Sequence, residues 1–380
     1  MKKSIFIVLC CFIIATFTAH ADSGIHISIL GPSSTDDIRF LYLESLEAES
    51  GIAKYAISYH GVDISTDDMT LLMSGNYDIA LVYQKVLQEG AKQGLVLSLT
   101  DISSASQIDW IPLSSLLKSG GTQYGLPFCY LSNLLSLNNN VAQHANFHLP
   151  QAPYSWGDLV QACNASSISQ SDDVCFMYAN VQLPFFMMQY MSSQYASTED
   201  ISFDTPTFRK AMIAYADMVR SGYIIGYEHE AHKTPIFTLT PYPVHYVPFP
   251  DLGSESCFVV DLYALCIPRN AKNTDGALAF LSDYASLDCQ ERIPLGSWSQ
   301  MICQDPGIYA QGMIDYFPFY SESLRQEIIS RGVPRFPNEE FIQYLNQTGI
   351  ISSYIDQEIT LDQLLIELQE TWEHIMSKQE

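Results

Sequence analysis

The sequence predicts an α/β fold arranged as two lobes, and three observations predict it. From Ile25 onward, strand-like and helix-like segments alternate in units of roughly 20–30 residues, the pattern of a largely parallel sheet with crossover helices. The 380 residues, 47% of them hydrophobic, supply core for about two ordinary domains. No internal repeat, low-complexity tract or long linker separates independent modules.

The elements follow in order. Ile25 to Leu30 has period two and ends at Gly31-Pro32, and Asp36 to Glu49 places Ile38, Leu41, Tyr42 and Leu46 on one helix face. Lys54 to Tyr59 reads as a second strand. Asp78 to Tyr83 reads as a third, buried on both faces by its apolar run. A helix over Gln84 to Lys92 and a strand at Leu95 to Leu99 come next. Tyr124 to Leu137 is extended and apolar, suited to carry the chain out of the first lobe.

Residues 155–225 look mainly helical. Ser155 with Asp158 and Thr205 before Pro206 are helix starts, and Met212, Tyr215, Ala216 and Val219 share a face. Trp156, at a helix start, reads as a staple into the core. Five prolines between Thr234 and Gly253 predict irregular chain. Phe258 to Pro268 is a buried strand, and Thr274 to Tyr284 a helix with Leu278 and Leu281 inward. Thr360 with Gln363 forms a capping box before the stripe Leu361, Leu364, Leu365, Leu368, Trp372 and Ile375.

The first 21 residues read as a cleaved secretory signal: Lys2 and Lys3, the apolar run Ile5 to Ala15, and Ala19-His20-Ala21 before Asp22. That run is too short to cross a bilayer. Cys10 and Cys11 sit inside it with Leu9 ahead of Cys10, which argues against a lipoprotein site. Cleavage leaves 16 basic against 42 acidic residues, a net charge of −26. A surface so acidic disfavours nucleic acid and anionic membranes as partners. Seven cysteines remain, with no C-x-x-C pair and no His at ligand spacing, so no metal is expected. Export permits disulfides; Cys163/Cys175 and Cys289/Cys303 are each spaced to close a short loop, and Cys266 reads as a buried small hydrophobe.

Six segments, in order along nearly the whole mature chain, resemble the maltose-binding type of extracytoplasmic solute-binding protein. They are Ser74-Gly75-Asn76-Tyr77-Asp78-Ile79, Gln93 to Leu99, Tyr124-Gly125-Leu126-Pro127 with Asn138, and Ser155-Trp156-Gly157-Asp158-Leu159. The other two are Phe203 to Phe208 with Ser221-Gly222-Tyr223-Ile224, and Leu265-Cys266-Ile267-Pro268 with Lys272-Asn273 and Ala277 to Leu281. The resemblance implies a type II periplasmic-binding-protein clamshell with hinge strands near Pro127 and Pro268. Its parts would be a signal peptide (1–21), lobe 1 (22–127), lobe 2 (128–258), a segment returning to lobe 1 (259–310) and C-terminal helices (311–380). It further implies a secreted or periplasmic monomer without cofactor that captures a sugar or thiamine-like heteroaromatic in the cleft, for an ABC permease. A receptor-like binder outside transport is a third class.

A narrower resemblance is to thiaminase I, an enzyme on the same fold. It is carried by Tyr124 to Asn133, Ile225-Gly226-Tyr227, Phe258-Val259-Val260-Asp261 and Asp315 to Glu322. Leu131 stands at that family's nucleophilic cysteine, Tyr83 at an aspartate, and His229 at the catalytic glutamate. If the chain is an enzyme, Cys129 is the displaced nucleophile, since residues two apart in a strand share a face, with Glu228 or Glu230 as base.

The binding candidates are Tyr83, Tyr130, Ser132, Asn133, Asp261 and Trp298. Tyr83 ends the third strand, where loops at strand carboxyl ends border ligands in open α/β sheets. Ser132 and Asn133 are polar within an apolar strand and need partners, protein or ligand. Asp261 is an acid in a buried strand and needs a pair or a cleft. Trp298, flanked by small polar residues, suits ring stacking or local packing, and Tyr242 and Tyr246 are either rim residues or exposed loop tyrosines.

Overall fold

The computed structural model describes residues 24–32, 54–62, 69–73, 76–106, 108, 110, 112–132, 134–198, 200–225, 232–240, 245–250, 258–292, 322–335 and 339–377. The strands that frame it are β1 (Ile25–Pro32), β2 (Tyr55–Val62), β3 (Ile79–Tyr83), β4 (Leu126–Leu131), β5 (Leu134–Leu137), β6 (Phe237–Thr240), β7 (Tyr246–Val247), β8 (Phe258–Cys266) and β9 (Gly332–Pro334). The principal helices are α1 (Gln84–Lys92), α2 (Trp156–Asn164), α3 (Ala179–Thr198), α4 (Pro206–Arg220), α5 (Thr274–Tyr284) and α6 (Leu361–Ser377). The helix expected over Asp36 to Glu49 lies outside the described residues.

Two compact units divide the chain: Met1–Tyr130 with Leu262–Phe317, and Leu131–Asp261 with Pro318–Glu380. The chain passes from one to the other within β4 and again within β8.

In the first unit β3 is buried at all five positions, as a run with no polar residue requires. It lies parallel to β1, which is itself parallel to β2 from Ile25↔Tyr55 to Pro32↔Val62. On its other side β3 runs antiparallel to β8, in register from Tyr83↔Tyr263 to Ala80↔Cys266, and β4 also pairs β8. Phe280, Leu281 and Tyr284 of α5 pack with Ile27, Ile29, Leu81, Phe128 and Leu265 into one core.

One carboxylate ties these pieces together. Asp78, only 6% exposed, accepts from the Ser28 amide at 2.9 Å and the Ser28 hydroxyl at 2.7 Å through Oδ2. Its Oδ1 accepts from the Asn273 amide at 2.8 Å. Asn273 in turn caps α5, its Oδ1 accepting from Gly276 N at 3.0 Å, and its Nδ2 donates to His26 O at 3.0 Å. Three segments far apart in sequence thus share a single set of hydrogen bonds, and a buried carboxylate so satisfied avoids the desolvation penalty of an unpaired one.

The second unit is mainly helical. Ser155 and Asp158 form the capping box of α2, and the Ser155 amide and hydroxyl, each donating to Asp158 Oδ2 at 2.8 Å, hold that carboxyl below its usual range. Thr205 Oγ1 accepts from Phe208 N at 3.1 Å ahead of Pro206 in the first turn of α4. Thr360 and Gln363 cap α6, whose Leu364, Leu365, Leu368, Trp372 and Ile375 are all buried. Trp156 is 4% exposed and meets Phe186 edge-on at 5.7 Å. Phe203, Phe208, Tyr190 and Phe341 extend that aromatic core.

Three expectations are corrected. Leu95 to Leu99 forms no strand of its own: its contact with the chain after β8 is an isolated bridge, Val96↔Pro268, with Leu97 N to Ile267 O at 2.9 Å. Pro268 has no N–H with which to extend a ladder. The proline-rich stretch does contain regular structure, because β6 and β7 pair antiparallel to β5. Pro248 and Pro250 fall outside the residues this ladder pairs, and Pro235 stands in a separate short parallel pairing, opposite Cys175. Cys163 and Cys175 are thiols, as are Cys129, Cys266 and Cys289, so the 163–175 loop closure is not made. Cys303 lies outside the described residues. Cys266, wholly buried, has its thiol pushed up to about 12 by desolvation.

Two outcomes follow from this packing. A methyl group on Gly125 would meet Leu87 Cδ2 at 2.6 Å and Ala264 Cβ at 3.0 Å. Gly125→Ala should therefore lower unfolding free energy by about 1–3 kcal/mol in urea titration. Alkylation in denaturant without reductant should label both Cys163 and Cys175, whereas a disulfide would protect them from the reagent.

Candidate functional site

β8 locates the most informative opening in the sheet. Side chains alternate along it, and Phe258, Val260, Leu262, Ala264 and Cys266 on one face are all buried. On the other face Val259 and Leu265 are buried while Asp261 and Tyr263 between them are partly open. A strand with partners on both sides, covered at each end and uncovered at two central positions, is where a sheet can meet something other than its own core.

In the first unit the open residue is Tyr263. It stands opposite Tyr83 in the antiparallel register, and the two rings pack at 5.9 Å between centroids, tilted by 60°. Tyr83 is 2% exposed. It ends β3 and begins the turn into α1, where its side chain supplies no cap to the helix amides. Gln84, the first residue of α1, is 3% exposed, and its Oε1 finds no donor among the described residues. A buried acceptor left unpaired costs about 1–3 kcal/mol.

In the second unit the open residue is Asp261. Its Oδ2 receives Arg335 Nη2 at 2.5 Å, and Arg335 N donates to Val260 O at 3.1 Å. The side chains remain 17% and 31% exposed, so the pair is partly desolvated. Ser132, 1% exposed, donates its hydroxyl to Val259 O at 3.0 Å, a backbone partner.

The remaining candidates are placed as follows. Tyr130 is fully buried. Cys129, 8% exposed, belongs to the buried apolar core that also holds Leu126 and Phe128. Asn133, Glu228, Glu230, Tyr242 and Trp298 lie outside the described residues. Tyr246 is half-buried in β7, with its ring 6.2 Å from Phe258. Burial, with the negative charge of Glu327 adding to it, raises its phenol well above the usual range. Among the described residues no group of three or more His, Cys, Asp and Glu is placed to hold a metal.

Sequence reasoning missed Tyr263, Arg335 and Gln84. Alternation gave a signal for Tyr263, because it lies two residues beyond Asp261 and so on the same face. Arg335 is 74 residues from its partner, and no local pattern connects them. A further groove of about 490 Å³ runs between α2 and α4, lined by Trp156, Gly157, Val160, Ala211 and Ala214, with Lys210 and Asp217 exposed beside it.

No family model matches the chain, and no curated protein matches it. Solved structures do match, over almost all of it. The sugar-binding protein MalE of Xanthomonas citri superposes with a TM-score of 0.68 at 14% identity, covering 93% of this chain and 98% of its own. An ABC substrate-binding protein of Listeria monocytogenes, in complex with cycloalternan, gives 0.69 at 12% identity over 93% and 100%. An ABC transporter solute-binding protein of Agrobacterium vitis, with bound D-mannitol, gives 0.58 at 16% over 93% and 99%. The chain therefore has the α/β fold of the maltose-binding type of periplasmic solute-binding proteins.

Replacing Gln84 by Met keeps the volume and removes the unpaired oxygen. Gln84→Met should raise the unfolding free energy by about 1 kcal/mol; a fall in urea stability would show that the amide has a partner that matters to the fold.

Proposed function

We propose that this chain is an exported solute-binding protein that captures a small neutral solute, of the sugar class, for an ABC importer. The observation that carries the reading is the extent of the likeness: a single fold accounts for 93% of the chain and nearly the whole of each binding protein it resembles. Binding proteins of this kind act by population shift, because a ligand that contacts one conformation better than another selects it. They need no nucleophile.

Two features favour a neutral solute. The open position of the first unit is a tyrosine backed by a tyrosine, a surface suited to apolar C–H faces rather than to charge. With 42 acidic against 18 basic residues, the surrounding field also opposes anionic solutes. The signal-like segment ahead of Asp22 supports export. Among the described residues no helix is long and apolar enough to cross a membrane. The thiaminase-like reading finds no support at Cys129, which packs in the core.

A thermal-shift panel of mono- and oligosaccharides, polyols and thiamine tests this. A true ligand at 100 times its Kd adds about 2.7 kcal/mol to the folded state and raises Tm by several degrees. A rise with one or more neutral sugars or polyols is the expected result. Tm unchanged across the panel, or thiazole release from thiamine in the presence of a nucleophile, would overturn it.

A further inference from the structure

We infer that Tyr263 is the residue against which a ring of the ligand packs, and that Tyr83 acts as a positioning residue behind it; this rests on the solute-binding reading above. Tyr263 lies in β8, a strand bonded to β3 on one side and also paired by β4 and β9. At such a place a tyrosine is ordinarily covered. Here it keeps partial exposure, as does Asp261 two residues earlier on the same face, while Val259 and Leu265 beyond them are buried, so the opening is confined to the middle of the strand.

The geometry also fixes which tyrosine does the binding. Tyr83 sits at the end of β3, the position from which sequence reasoning expects contact, yet its ring is buried. It packs instead on Tyr263 at 5.9 Å and a 60° tilt, which limits how far the Tyr263 ring can swing. A ring held from behind loses less rotamer freedom when a ligand arrives, so more of the contact appears as affinity. The ligand chemistry implied is a neutral molecule with a ring presenting an apolar face, a pyranose or a planar heterocycle. An acyclic polyol offers no such face and would gain little from Tyr263.

The test uses the full mature chain and the ring-containing panel member that binds it most tightly, with D-mannitol as the acyclic comparison. Titration calorimetry should show Tyr263→Leu weakening the ring ligand about three- to tenfold, with Tyr263→Phe close to wild type and any mannitol affinity unchanged. Tyr83→Leu should weaken the ring ligand in the same selective way. In wild-type protein, saturating ring ligand should also suppress nitration of Tyr263 by tetranitromethane, a readout that remains if the leucine variant does not fold. A loss of less than threefold in Tyr263→Leu, equal losses for ring ligand and mannitol, undiminished nitration, or a wild-type protein that binds only acyclic polyols would each overturn the inference. A wild-type protein that binds nothing in the panel would instead overturn the solute-binding reading on which it rests.

Discussion

The Asp78 carboxylate fixes the geometry on which the rest of the first unit depends. Buried to 6% exposure, it needs strong donors, and it takes them from Ser28 on β1 and from Asn273 ahead of α5. Those bonds set where β3 begins relative to β1 and where α5 starts across the sheet. β3 then runs five residues to Tyr83, so the position of the tyrosine pair is determined at the opposite end of the strand, by an electrostatic requirement that has nothing to do with ligand.

β8 applies the second constraint. Its antiparallel register against β3 places Tyr263 opposite Tyr83, and its continuation places Asp261 beside β9 and Arg335. A carboxylate and a phenol in the middle of an otherwise apolar strand would be expensive if the strand were sealed. The structure resolves the expense differently at each: an arginine for Asp261, partial exposure and a ring partner for Tyr263. β8 therefore carries two unlike residues, Asp261 paired with Arg335 in the second unit and Tyr263 partly exposed against Tyr83 in the first.

Much of the fold was legible because its signals are local. The uninterrupted apolar run of β3, the Ser155–Asp158 and Thr360–Gln363 boxes and the stripe of α6 are each decided within one or two turns of chain. The misreadings share the opposite character. Five prolines suggested irregular chain because proline removes a donor, but whether a donor is needed depends on which residues β5 pairs. Cys163 and Cys175 were close enough in sequence to bridge, but Cys163 sits in the apolar core of the second unit and both remain thiols.

The candidate site divides the same way. The sequence by itself determined that Tyr83 ends a buried strand and that Asp261 is an acid where apolar residues belong, since both facts are contained in runs of five to nine residues. Only the tertiary structure decided that Tyr83 is covered and Tyr263 open, that Asp261 is matched by a residue 74 positions away, and that Cys129 packs into a core. Exposure and charge pairing are sums over neighbours contributed by distant segments, and the physical reason they escape a one-dimensional reading is that strand register, not sequence proximity, chooses those neighbours.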